Sequence, residues 1–325
     1  MPRPLEEATV VITGASSGIG RAAALRIARR GASLALCARS TAPLEEVVAE
    51  CEAAGASAFG VALDVADEPA VEAFAAEAVS RQGRIDVWVN NAGAIAYGDF
   101  VELPSEDFRT VVETNLMGQV HGARAALRRF KEQGSGVLIN MSSVWGRVSS
   151  PSVSPYVVSK NAVRAFSECL HGELVDEPDI HVTTLVPQAV DTPIFDHAAN
   201  RSGRSVRPIP PIVSADEVAA GIEACAESPK REVNYGRAGR VLEILYALTP
   251  RLYRRVAHPA FVAGTFGPAE VPPSSGNLRQ PSDPHRVDGG WRRDRRPTLR
   301  RAFAAAARSG LSGLLPDRFR RSDIG

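Results

Sequence analysis

Tyr156 and Lys160 stand four residues apart, and Ser143 lies thirteen residues before the tyrosine. Positions four apart share one face of a helix, so the phenol and the ammonium would point into the same space. A free phenol, with a pKa of about 10, exchanges protons poorly at neutral pH. A fixed positive charge beside it favours the phenolate and brings proton transfer within reach. Near the start of the chain runs Thr13-Gly14-Ala15-Ser16-Ser17-Gly18-Ile19-Gly20. Gly14 permits a tight turn, Gly18 lets the backbone approach a phosphate, and Gly20 lets a helix and a strand pack closely. With Ser16, Ser17 and Ile19 they form a segment whose backbone amides suit the pyrophosphate of a dinucleotide. A proton-transfer group at one end and a dinucleotide cradle at the other imply oxidation–reduction.

Three further positions fit that cradle. Arg39 ends the second strand in Leu36-Cys37-Ala38-Arg39-Ser40. NAD-binding sheets usually place an acid at this strand end for the adenosine ribose. Here Ala38 is neutral, and the arginine after it can fork onto a 2′-phosphate, which favours NADP over NAD. A solvated surface arginine is the competing reading. Asp64-Val65 closes the third strand, where the carboxylate could accept from an adenine amino group or start a helix. Asn91, within Asn90-Asn91-Ala92-Gly93, ends the fourth strand among small residues that let a cofactor pass close to the backbone.

The elements that must hold these residues are predicted from periodicity. Short aliphatic or β-branched runs at 8–12, 33–38, 58–63, 87–90, 136–141, 181–186 and 232–235 alternate with amphipathic stretches at 19–30, 44–54, 68–81, 105–130, 156–174 and 214–226. This pattern predicts an α/β fold: a doubly wound, Rossmann-like parallel sheet of about seven strands, with ligands beyond the strands' carboxyl ends. Each motif falls at such an end or in the helix that follows. The alternation stops near 239, so residues 1–238 are expected to form the dinucleotide-binding oxidoreductase domain and 239–325 a basic, partly helical extension separable from the chemistry. Residues 191–213, rich in proline and arginine, break the rhythm and are a candidate substrate lid, a plain surface loop being the alternative. Residues 241–248 are apolar at helical spacing and 266–290 read as coil.

Among 325 residues, 44% are hydrophobic and 23% charged, ordinary for a globular protein. The net charge of +1 hides an asymmetry, because ten arginines and three acids follow residue 290. A basic helical face at 299–315 could meet a membrane surface, with a disordered tail or a cap on a neighbouring subunit as the favoured alternatives, while a nucleic-acid partner is not expected. Lys131, Lys160 and Lys230 are the only lysines beside 35 arginines, which makes the ammonium at 160 informative. Four scattered cysteines without CxxC spacing, and six histidines without HxxxH pairing, predict no metal site and a reducing compartment. With no apolar signal segment or membrane-length run, the expected location is the cytoplasm.

Together, Thr13 to Gly20, Asp64, Asn90 to Gly93, Asn115, Ser142-Ser143, Tyr156-Val157-Val158-Ser159-Lys160 and Pro187 to Thr192 resemble, in order and spacing, the compact single-domain branch of the short-chain dehydrogenase/reductase family. The resemblance covers about residues 10–235. It implies that Tyr156 gives the proton to a carbonyl and takes it from an alcohol, and that Ser143 holds the substrate oxygen. It also implies that Lys160 lowers the phenol pKa and binds the nicotinamide ribose, and that Asn115 holds a water joining Lys160 to solvent. Val190 and Thr192 match positions that hold the carboxamide, and Ser142 would secure the strand end. The implied activity is hydride transfer between NADP(H) and a small carbonyl or alcohol substrate, in a homo-oligomer; a non-catalytic NADP(H) sensor is the alternative. Two residues depart from the pattern: Gln188 follows Pro187 where a glycine is common, and Trp145 stands where a small residue is common, as pocket wall or core.

Overall fold

Alternate burial along the first strand sets up the architecture. In β1 (Thr9–Thr13), Val10 and Ile12 face one hydrophobic layer and Val11 the other. A strand buried on both faces suits the interior of a parallel sheet. The computed structural model describes residues 2–293. Six more strands follow: β2 (Ser33–Ala38), β3 (Ala58–Ala62), β4 (Val87–Asn90), β5 (Gly136–Met141), β6 (Ile180–Pro187) and β7 (Glu232–Tyr235). All pair in parallel, in the order β7-β6-β5-β4-β1-β2-β3. The winding reverses between β1 and β4, so the crevice at their carboxyl ends is the natural ligand site.

Helices cover both faces. On one side lie α1 (Gly18–Ala28), α2 (Thr41–Ala53) and the helix at Ala215–Glu227, through Ala23, Ile27, Val47, Val218 and Ile222. On the other lie α3 (Glu68–Gln82), α5 (Gly118–Gln133) and α6 (Ser154–Glu173), through Phe74, Ala126, Phe130 and Leu170. The long helix expected over 105–130 is interrupted. Between α4 (Ser105–Val112) and α5, a π turn spans Glu113–Met117, where the Gly118 amide donates to the Glu113 carbonyl.

Beyond the sheet, the helix at Ala215–Glu227 becomes α7, followed by α8 (Arg237–Leu248) and α9 (Pro250–Thr265). Pro250 opens α9 rather than ending a helix, as its fixed φ and missing N–H allow. Residues Phe266–Glu270, expected as coil, form a strand antiparallel to Arg204–Val206. The candidate lid is therefore held along its middle, since Ala199–Asn200 also pairs with Ala96–Tyr97 and Arg201 donates to buried Asp107 at 2.8 Å. The apolar face of 241–248 is divided: Leu242 and Tyr246 pack against Val148, Tyr253 and Phe261, while Val241, Ile244, Leu245 and Leu248 are exposed. The basic face expected at 299–315 lies outside the described residues. No helix among those described is long and apolar enough to cross a membrane.

Gly20 is where sheet and cradle meet most tightly, because a Cβ there would collide with the carbonyl oxygen of Gly14. Gly20→Ala is expected to lower unfolding free energy by about 1–3 kcal/mol, read from the urea midpoint at constant m-value. An unchanged midpoint would show that the turn yields.

Candidate active site

The glycine turn forms as its sequence requires. Gly14 has φ of 66° and Gly18 of 54°, backbone that favours glycine, and α1 begins at Gly18. The turn is secured from β4: the Asn91 side-chain amide donates to the Thr13 and Gly14 carbonyls at 2.9 and 3.1 Å. Asn91 thus shapes the cradle as well as lining it. Val65 is buried and its carbonyl accepts from His121, while exposed Asp64 accepts from the Ala66 amide at 2.9 Å.

A single cavity of about 740 Å³ runs from this turn to the tyrosine, within the range of small-molecule and cofactor sites. Its lining includes Gly14, Ser16, Ser17, Gly18 and Ile19 at one end, then Arg39, Asp64 and Val65, with Asn91, Val190 and Thr192 along the way. Ser143, Tyr156 and Lys160 line the other end. Of the expected site residues, Gly20 and Asn115 are not at its surface.

Asn115 is fully buried in the π turn, and both of its side-chain N–H groups are engaged. Its Oδ1 accepts from the Ala94 amide at 2.7 Å, and its Nδ2 donates to the Ala94 carbonyl and to Ser159 at 2.9 and 3.0 Å. Its side chain therefore stitches the loop after β4 to α6. Gly93 packs between this amide and the Lys160 ammonium.

Lys160 is 2% exposed and donates from Nζ to the Met141 carbonyl at 2.8 Å. Burial brings its pKa down to about 7, because the charged form is the one that loses hydration. Tyr156 goes the other way. Burial pushes its phenol up to about 12, against a smaller downward pull from a hydrogen bond with Ser143. The Lys160 ammonium lies 5.6 Å from the ring centroid, and burial is the larger influence on the phenol. Ser143 is buried, accepts from the Trp145 amide at 3.2 Å and caps a short turn at Val144–Gly146. Ser142 donates to the Lys160 carbonyl at 2.8 Å and so ties the end of β5 to α6.

Trp145 is a wall of the cavity, edge-on to Tyr156 with ring centroids 5.9 Å apart. Gln188 also lines it, donating to the Pro211 carbonyl at 3.0 Å. Sequence reading missed the contribution of the extension. Ala260 and Phe261 of α9 line the substrate end, and Asn277, Pro281, Ser282 and His285 line the cradle end. The extension is thus part of the cavity, not separate from it. Arg39 illustrates this, because its guanidinium donates to the carbonyls of Asn277 at 2.6 Å and Leu278 at 3.2 Å. Among the described residues no cluster of His, Cys, Asp or Glu could hold a metal ion.

The chain matches the short chain dehydrogenase family over residues 8–202. It is 35% identical over 257 residues to the uncharacterized oxidoreductase YxnA of Bacillus subtilis, covering 78% of this chain and 72% of that protein. A short chain dehydrogenase/reductase from Burkholderia phymatum, solved in complex with NAD, superposes with a TM-score of 0.70 at 29% identity, covering 75% of this chain and 94% of that one. An alcohol dehydrogenase from the archaeon Thermococcus sibiricus, complexed with 5-hydroxy-NADP, gives 0.61 at 32% identity, covering 70% and 95%.

Lys160 yields a prediction with a defined sign. Its folded pKa lies below its unfolded one, so its burial destabilises most below pH 7, where both states are charged, and progressively less as pH rises toward the unfolded value. Lys160→Met should therefore raise Tm more at pH 6 than at pH 9. Equal shifts at both pH values would mean that the ammonium is solvated.

Proposed function

Because the chain belongs to the short-chain dehydrogenase/reductase family, we propose that it is an NADP(H)-dependent oxidoreductase interconverting a carbonyl compound and its alcohol. The observation that supports this best is the arrival of Ser143, Tyr156 and Lys160 at one end of a cavity whose other end is the glycine turn. The donor set fits a dinucleotide: amides at a helix N-terminus suit phosphates, and the Lys160 ammonium, with one N–H on Met141, has two more for ribose hydroxyls. When bound, the dinucleotide gives or takes the hydride. Tyr156 then protonates the carbonyl oxygen in reduction, or accepts the hydroxyl proton in oxidation. Ser143, buried beside it, holds that oxygen in place. Val190 and Thr192 would hold the carboxamide. Asn115 acts by fixing the loop beneath Lys160.

NADP is favoured over NAD by two residues. Ala38 offers no carboxylate to a ribose, and Arg39, which lines the cavity, has N–H donors beyond the two engaged by backbone carbonyls. The substrate end is walled by Trp145, Val148, Ile194, Ile209, Leu242 and Phe261, which suits a hydrophobic ketone, aldehyde or alcohol.

Tyr156→Phe should cut kcat by about 100-fold or more, as loss of an acid–base residue does, with the NADPH Kd nearly unchanged. Retention of more than about a tenth of native kcat would assign the proton to another group. Arg39→Ala should weaken NADPH about 10-fold more than NADH, the scale of one charge-assisted contact. Equal weakening, or a native preference for NADH, would overturn the choice of cofactor.

A further inference from the structure

Three buried polar atoms on one segment of the extension have no hydrogen-bond partner: Asn277 Oδ1, Ser282 Oγ and His285 Nδ1. All three residues line the cavity. Buried polar groups are nearly always paired, so three together against one cavity imply that a ligand there completes them. We propose that residues 277–292 form a strap closing the dinucleotide site, in which Asn277, Ser282 and His285 are cofactor-binding residues. This rests on the dinucleotide reading above.

The strap is fastened to the residues that flank the cradle. Arg39 holds the carbonyls of Asn277 and Leu278, and the Gly18 amide donates to the Arg286 carbonyl at 2.9 Å. Arg21, on α1, donates to the His285 carbonyl at 2.6 Å. At the far end, the amides of Gly289, Trp291 and Arg292 donate to the Asp191 carboxylate at 3.1, 2.8 and 3.2 Å, and Trp291 Nε1 to the Thr192 carbonyl at 3.2 Å. His197 spans the middle, its Nε2 donating to the Pro284 carbonyl at 3.0 Å.

The unmatched atoms suit the part that NADP and NAD share. Asn277 Oδ1 can only accept, which fits a ribose hydroxyl or the adenine amino group. The Ser282 hydroxyl and a protonated His285 Nδ1 can donate to phosphate oxygens. The Gly18 amide, engaged by the strap, is then replaced as a phosphate donor by these side chains. The strap reads the common adenosine diphosphate moiety, while Arg39 distinguishes the 2′-phosphate. A dinucleotide enclosed in this way leaves only when the strap lifts.

The test uses the full chain, with NADPH and NADH titrated separately by fluorescence. Ser282→Ala and His285→Ala should each weaken both cofactors several-fold, and the double variant about 10-fold or more, as loss of two hydrogen bonds predicts. Asp191→Asn, which loosens the far anchor, should speed NADPH dissociation. Amide exchange over 277–292, followed by mass spectrometry, should slow when NADPH is added. Native affinity for both cofactors in a folded double variant, or faster exchange of the strap on NADPH binding, would overturn the proposal; the latter would make the strap a competitor. A native chain that binds neither NADPH nor NADH would overturn the cofactor reading, and the strap with it.

Discussion

At the carboxyl edge of a parallel sheet the last backbone groups have no further rung to pair with, and those that are buried must find partners elsewhere. That requirement organises the site. Met141, the last residue of β5, has a carbonyl that accepts from both Lys160 Nζ and Gln119 Nε2, at 2.8 and 2.9 Å. The Thr13 hydroxyl accepts from the amides of Asn91 and Ala92 at 3.0 and 3.1 Å, while the Asn91 side chain holds the Thr13 and Gly14 carbonyls. One layer deeper, Asn90 donates to Asn140 at 2.9 Å and Asn140 to Ser167 at 3.0 Å, a buried chain linking β4, β5 and α6. Side chains read as chemical are thus also structural. A buried carbonyl that loses its partner bears the full desolvation penalty, so Lys160 and Asn91 are constrained twice.

Much of this was legible in the sequence, for local reasons. The β-branched runs and their alternation placed all seven sheet strands to within a residue or so at each end, because tertiary burial and local pattern agree there. The π turn at Glu113–Met117 was not legible. No proline or glycine lies within it, though Gly118 follows it directly, and one inserted residue hardly disturbs a helical period. What stabilises it, the pairing of Asn115 with Ala94 and Ser159, comes from distant elements. The burial of Tyr156 and Lys160 was not legible for a related reason. Spacing reveals that a phenol and an ammonium are neighbours, but not how far both are removed from water, and burial is the larger effect on each.

The strap was the least legible part, because many of the bonds that hold it are made to its backbone atoms. Arg39 and Gly18 both bind carbonyl oxygens of the strap, and any residue supplies a carbonyl. A composition rich in proline, glycine and serine between 266 and 290 then reads as coil, and most of it is irregular. Even its one strand, Phe266–Glu270, depends on a partner some sixty residues earlier in the chain. Side-chain periodicity cannot report an element whose contacts are not made by side chains.

The walls of the cavity beyond the sheet are nevertheless coupled to the proposed catalytic residues. The loop after Ser143 continues into Arg147, a nearly buried guanidinium that bridges Glu232 of β7 and Glu243 of α8. Two residues on, the Ser149 carbonyl accepts from the Tyr253 hydroxyl of α9 at 2.8 Å, and Ser149 Oγ meets His258 at 3.2 Å. Val148, between them, packs with Tyr253 and Phe261. On the proposed function, a substrate pressing on α8 or α9 would also press on the segment that presents Ser143. Two partly buried carboxylates on one arginine resist that displacement more than a single surface pair would. If Ser143 acts as proposed, selectivity at the wall and alignment at the serine would be one mechanical property, set by residues 147–149 rather than by the proposed catalytic groups themselves.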